Sequence, residues 1–241
     1  MNGPLRWALL AAAAIAFVAM VGAALSVAWI AFSSTLTPFE EQEAGPQVVI
    51  GLDLSSDNPL ITDAAFARQA GQRIEEMIAA LPLRSRVSVR AFGDYGATAG
   101  PLTFDRITSA RRQPDDVGRF IGRIIGGIPR LVAQGDVVPQ TRTNILAFLD
   151  NMSHSVDCTI DRVEFYLVTD GLEDSEYSVL AKPDGMLPEP QGTPFAGCPR
   201  LTMIGIGGGQ ASPKTATRIT EAWEAWALQA GFGTFRGLKQ W

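Results

Sequence analysis

Three short polar clusters carry the residues able to do chemistry. They are Asp53-Leu54-Ser55-Ser56-Asp57, Thr141-Arg142-Thr143-Asn144, and Thr169-Asp170-Gly171 followed by Glu173 and Asp174. They supply carboxylate and hydroxyl oxygens with no histidine or thiolate beside them, a donor set suited to Mg²⁺, Mn²⁺ or Ca²⁺ and unsuited to zinc. Each cluster alone has an ordinary explanation. An Asp followed by serines often makes a turn or a helix N-cap, Thr-Asn caps helices, and Asp-Gly is a frequent turn dipeptide. Their joint meaning depends on the elements that position them.

Gln47 to Asp53 is a short continuous apolar run, as expected of a strand buried on both faces of a parallel sheet. Apolar residues at helical spacing predict a helix over 62–81, stopped by Pro82. Strands are expected over 87–92, 101–104, 163–169 and 201–206, and helices over 115–128, 143–154 and 215–230. Met77, Trp223 and Trp226 fall on helical stripes and read as packing residues. The stretch 182–199, with five prolines and three glycines, reads as a long loop. Strands alternating with helices give an α/β class, a doubly wound, mainly parallel sheet with helices on both faces. In such a sheet ligands sit beyond the carboxyl ends of the strands, where all three clusters fall.

The whole chain has 241 residues, net charge −5 and a mean hydropathy of +0.11. That average conceals two parts. Residues 7–32 contain no charge and only Gly22 and Ser26 outside the hydrophobic set. At about 1.5 Å per residue this run reaches roughly 39 Å as a helix, more than the ~30 Å of a bilayer core. Trp7 and Trp29 stand near its ends, where indole rings favour the headgroup level. Arg6 precedes the run and Glu40, Glu41 and Glu43 follow it, so residues 1–6 are expected in the cytoplasm, 33–46 as a linker, and 47–241 outside the membrane, in the periplasm of a bacterial cell. A cleaved signal peptide is the competing reading; the length of the run and its bulky end favour an uncleaved anchor. From residue 33 onward 19 Lys and Arg face 25 Asp and Glu, a balance opposite to that of a phosphate-tracking nucleic-acid binder.

With its clusters in this order, the sequence resembles the von Willebrand factor type A domains over roughly residues 47–235. Those domains carry Asp-x-Ser-x-Ser after the first strand, a Thr before a later helix, and Thr-Asp-Gly after the fourth strand. Asp53 and Ser55, Thr143, and Asp170 match these positions; Asp57 stands where the family has Ser. The resemblance implies a metal-ion-dependent adhesion site in which Asp53, Ser55, Asp57, Thr143 and Asp170 hold a divalent cation, Mg²⁺ foremost. It also implies a protein partner that completes the metal's coordination with a carboxylate, with Arg142 and Glu173 at the rim of the contact. Asp57 adds a third carboxylate. Either it strengthens the cation site or it turns outward and leaves the site degenerate, since clustered carboxylates without a cation repel and hold a proton.

Other readings compete. A metal-dependent hydrolase or phosphatase would use Asp53 as nucleophile, although Ser55 stands where a haloacid-dehalogenase-like enzyme has a second Asp. A metal-free scaffold is the remaining alternative. Gly205-Ile206-Gly207-Gly208-Gly209 lacks the dinucleotide-binding spacing, and His154 has no Ser or Cys partner pattern. With neither a nucleophile paired to a base nor a phosphate loop, the chain is expected to be no enzyme. Cys158 and Cys198 each precede a strand; with those strands adjacent and parallel, both sulfurs lie at the amino-terminal edge of the sheet. Outside the membrane a disulfide between them is expected, two buried thiols being the alternative.

Overall fold

A computed structural model describes residues 45–94, 100–182, 184–208 and 212–239. The expected membrane span at 7–32 and residues 33–44 of the expected linker lie outside these residues. Among the described residues no helix is long and apolar enough to cross a membrane.

Strand β1 (Gln47–Asp53) is buried from Val48 onward and forms the middle of a six-stranded sheet. It pairs in parallel with β2 (Arg86–Phe92) on one side and β4 (Val163–Val168) on the other. Beyond β4 lie β5 (Arg200–Ile204) and β6 (Phe235–Leu238), both parallel to their neighbours. Beyond β2 lies β3 (Phe104–Ile107), which runs antiparallel, giving the order β3-β2-β1-β4-β5-β6. The doubly wound α/β reading therefore holds, with one antiparallel edge strand.

Helices cover both faces, and alternation along β1 separates the two cores. Val48, Ile50 and Leu52 pack with α2 (Ala64–Ala79) and α3 (Pro114–Gly126), while Val49 packs with α5 (Ile145–Ser153) and α6 (Pro213–Gln229). Gly51 makes room for the second layer: a Cβ there would lie 2.6 Å from Leu167 Cδ2 and 3.0 Å from Phe148 Cε1. Helices α2 and α3 touch through their backbones, since a Cβ on Gly71 would sit 2.4 Å from the Gly122 carbonyl oxygen. Shape at that contact is set by missing side chains.

Several boundaries differ from the sequence reading. A single turn, α1 (Pro59–Thr62), precedes α2, whose start is fixed by Asp63 accepting from the Ala65 and Phe66 N–H groups. The expected helix over 115–128 is two, α3 and α4 (Ile128–Gln134), because the chain breaks at Gly127 and Pro129 opens the new one. The third strand lies at 104–107 rather than 101–104, and β6 was not anticipated. The stretch 182–199 contains no helix or strand among its described residues, yet it packs inward: Phe195 is buried and stacks on Phe232 at 4.4 Å between ring centres. Cys158 and Cys198 form a disulfide with Cα atoms 4.8 Å apart, tying this loop to the approach to β4. It closes a 40-residue separation and restricts the unfolded chain accordingly.

Candidate metal centre

The chain leaves β1 for the β2–β3 side and returns to β4 on the other, so strand order reverses between β1 and β4. Asp53 ends β1 and Thr169-Asp170 follows β4 directly, which places both carboxylates at this switch point.

Asp53 is fully buried. Its Oδ1 accepts from the Ser55 backbone N–H at 2.9 Å, and its Oδ2 accepts from Asn58 Nδ2 at 2.8 Å and from the Thr169 hydroxyl at 2.7 Å. Burial pushes its pKa up while these donors oppose the shift. Asp170, 4% exposed, accepts from the Leu172 N–H at 2.9 Å. Burial first and the Asp53 charge second push its pKa up to about 8, with Asp57 adding to the effect. Two buried acids of like charge, both raised, describe a site short of positive charge.

The three clusters are pinned to one another. Thr169 bonds Asp53, joining the first to the third. Asp174 N–H donates to the Thr143 carbonyl at 2.9 Å, joining the second to the third. Ser56 N–H donates to the Gln140 carbonyl at 2.8 Å, and Gln140 N–H to that of Leu54 at 2.7 Å, joining the first loop to the segment before the second. Thr143 is buried and stands one residue before Asn144, which caps α5 by accepting from the Ala147 N–H. The Ser55 hydroxyl is buried beside the Asp53 carboxylate, whose charged form it helps to hold.

The remaining expected site residues are placed differently. Asp57 is exposed, and its neighbour Asn58 takes the inward position, holding Asp53 through Nδ2 and accepting from the Leu60 N–H through Oδ1. Glu173, expected at a rim, is fully buried. Its Oε2 accepts from the Ile145 and Leu146 N–H groups at the start of α5, and its Oε1 accepts from the Ser175 hydroxyl. Glu173 is thus a helix cap, because the α5 amino terminus needs acceptors that its own loop does not fully supply. Burial raises its pKa to about 7. Arg142 is exposed.

Three positioning residues escaped the sequence reading. Asp94 Oδ1 accepts from the Thr141 N–H and hydroxyl and from the Arg142 N–H, shaping the second loop from 47 residues away. Thr169 reads as part of a turn until Asp53 is placed beside it. Trp223 does more than pack: its Nε1 donates to the Gly171 carbonyl at 2.8 Å. Gly171 itself sits at φ +79°, a conformation that favours glycine.

Among the described residues no three His, Cys, Asp or Glu side chains group as a metal-binding cluster. A cation here would therefore draw on hydroxyls as well as on the acid pair. The chemistry of the residues present suits such an ion: Asp53 and Asp170 offer charge, and Ser55 and Thr143 offer buried hydroxyl oxygens.

No protein-family model matches the chain, and no curated protein matches it. Among solved structures, that of the human COPII-coat protein Sec24c is similar at a TM-score of 0.41 and 9% identity, over 81% of this chain and 30% of that one. The chain spans less than a third of that protein's length. At this level of similarity the α/β fold rests on the strand order described above.

Proposed function

We propose that the chain is a protein-binding module of the von Willebrand factor type A kind, tethered to a membrane through residues 7–32, that engages a carboxylate of its partner through a divalent cation at the switch point. Asp53, Asp170, Ser55 and Thr143 are the residues that would hold the ion, with Asp57 close enough to add charge and Arg142 at the partner's rim. When bound, Mg²⁺ or a similar ion supplies a positive centre with room for an outside oxygen ligand. The observation that carries the reading is the buried acid pair Asp53 and Asp170 at the switch point, set beside the buried hydroxyls of Ser55 and Thr143, with Asp170 driven toward neutrality by burial and the Asp53 charge. Buried like charges without a counter-ion cost stability, so their retention calls for a cation.

Both oxygens of Asp53 are already engaged by three donors, and the side chain is fully buried. That favours an orienting role over attack on a substrate, and with it binding over hydrolysis. Calorimetric titration of the full chain in detergent with Mg²⁺ and with Mn²⁺ tests the site. Binding that is lost in Asp170→Ala supports it; no binding at millimolar metal leaves a metal-free scaffold as the better reading. Capture of a partner by the wild type in Mg²⁺ and not in EDTA tests the adhesion itself.

A further inference from the structure

From residue 33 onward acids outnumber bases, 25 to 19, yet the outer surface of α3 and α4 has the opposite balance. The inner stripe of α3, Val117, Ile121 and Ile125, is buried in the core. On its other side Arg119, Phe120, Arg123 and Ile124 stand at helical spacing and meet Arg130 and Leu131 of α4 around an open groove of about 500 Å³. Asp116 is the one acid that lines it, and it is paired with Arg119. Asp115 and Asp136 are exposed but do not line it. Among the described residues the guanidinium groups of Arg123 and Arg130, both exposed, make no hydrogen bond or ion pair.

A fourth arginine is held against an aromatic pair. The Arg106 guanidinium on β3 lies 5.0 Å from the ring centres of both Phe104 and Phe120, whose rings meet edge to face at 5.8 Å. Its charge is thereby held over the apolar part of the face. Phe120 is 43% exposed, and Ile124 and Leu131 are half-buried beside it. None of the three is needed to fill the core, so the face joins an open aromatic ring to a surplus of arginine.

We infer that this face docks on an anionic phospholipid surface, with Arg106, Arg119, Arg123 and Arg130 among the lipid phosphates and Phe120 at the level of the headgroups. Exposed apolar residues flanked by arginines are the pattern of a helix that lies in a bilayer interface. The inference rests on reading residues 7–32 as an anchor. The linker 33–46 then spans at most about 50 Å when extended, so the domain stays beside a bilayer, and a contact too weak for a free protein suffices. The face also starts where the chain arrives: Ile107, shortly before α3, lies at the edge where Arg86 pairs with it and with Gln47. No cation at the switch point takes part.

The test uses the full chain reconstituted in vesicles of phosphatidylcholine alone or with a third of phosphatidylglycerol, in EDTA. A nitroxide is placed on Gln134→Cys, one turn from Arg130 on α4, and as a control on Glu224→Cys, exposed on α6. In the anionic vesicles the label at 134 should lose access to a water-soluble nickel relaxant and gain access to oxygen; in the neutral ones it should stay in water. About 0.5 M salt, which shortens the Debye length to about 4 Å, should reverse the shift. Arg123→Gln and Arg130→Gln should each lower the ratio of docked to free label about fivefold, the size expected of one basic residue at an anionic surface, and Phe120→Ser should lower it as well. Near-UV circular dichroism reports whether the variants fold, and the salt reversal decides the matter where one does not. Retention after a carbonate wash of the neutral vesicles reads the anchor separately: a chain that is retained without the shift keeps the anchor and loses the docking face, and a chain that washes off yet shifts in anionic lipid does the converse. The proposal is overturned by equal accessibility in the two lipids, by the same shift at the control position, by a shift that survives both arginine substitutions, or by polyglutamate displacing the face from anionic vesicles at micromolar concentration, which would assign it to an acidic protein.

Discussion

At the carboxyl ends of β1 and β4, two acids lie buried near one another; on the α2 face of β4, β5 and β6, Arg200 and Arg236 line a groove together with Glu76 and Glu164. Each region holds a buried hydroxyl, Ser55 beside Asp53 in the first and Thr202 in the second. The difference lies in how the surroundings are fixed. Around Asp53 and Asp170 the backbone of three loops is tied by hydrogen bonds from Ser55, Leu172, Gln140 and Asp174. In the groove Glu164, Arg200 and Arg236 project from regular strands, whose backbone bonds are used within the sheet. The acid pair is positioned by loops, and the groove by register.

The largest expected effect separates the two regions by metal. Asp170→Asn should abolish Mg²⁺ binding in calorimetry, a loss of at least a hundredfold in affinity, and Mg²⁺ should not rescue it; binding of Mg²⁺ at wild-type affinity would remove the acid pair from the comparison.

Glu173→Ala comes next, because it leaves the α5 amino terminus and Ser175 without their acceptor. A loss of about 2–4 kcal/mol in urea unfolding is expected, from the general cost of unpaired buried groups. A loss below about 1 kcal/mol, a typical single neutral hydrogen bond, would show that water replaces the carboxylate easily.

The pH dependence follows from the raised acids. Asp170 has a folded pKa of about 8 against 3.8 in its ordinary state, and Glu173 about 7 against 4.5. The folded chain binds more protons than the unfolded one, so their contribution is fully present below about pH 4 and is lost as pH rises through 7 and 8. Asp105, lowered by its bonds from Ser88 and Arg90 though burial opposes this, works the other way at more acidic pH. In EDTA the melting temperature should therefore fall between pH 5 and pH 8, and Mg²⁺ should flatten the fall. A rise over that interval in EDTA would contradict the acid site's electrostatics.

The smallest effects come from the two hydroxyls. Thr202→Val should raise stability in EDTA by about 1 kcal/mol, since it removes an unsatisfied buried oxygen, whereas Ser55→Ala removes a hydroxyl that supports the Asp53 charge and should not. Ser55→Ala should weaken Mg²⁺ binding and Thr202→Val should not. Denaturant midpoints measured with and without Mg²⁺ distinguish the two.

What the sequence made legible was local. The apolar run ending in Asp53 and the strand ending before Thr169-Asp170 needed only periodicity, and both ends are where the chemistry lies. The disulfide followed from two parallel neighbours, each preceded by a cysteine. Asp57 and Asn58 were harder, being adjacent and both polar. The deciding signal was Pro59: Asn before Pro is a helix start, and capping α1 turns Asn58 inward while Asp57 faces solvent. Glu173 and Asp94 act on loops 28 and 47 residues away, distances over which no pattern in the chain reports a hydrogen bond. Strand β6 is four residues long and contains Gly237; it takes its identity from pairing with β5.

The central strand also has a mechanical meaning. The chain enters β1 at Gln47 and reaches the acid pair at Asp53, six steps or about 20 Å along a strand at 3.3 Å per residue. A pull on the segment before Gln47, set against a load at the far edge, runs parallel to β1 and loads its hydrogen bonds to β2 and β4 together, in shear. Rupture then requires both ladders to yield at once rather than one bond after another, so the strand that carries Asp53 is also the one best placed to bear tension along its own axis.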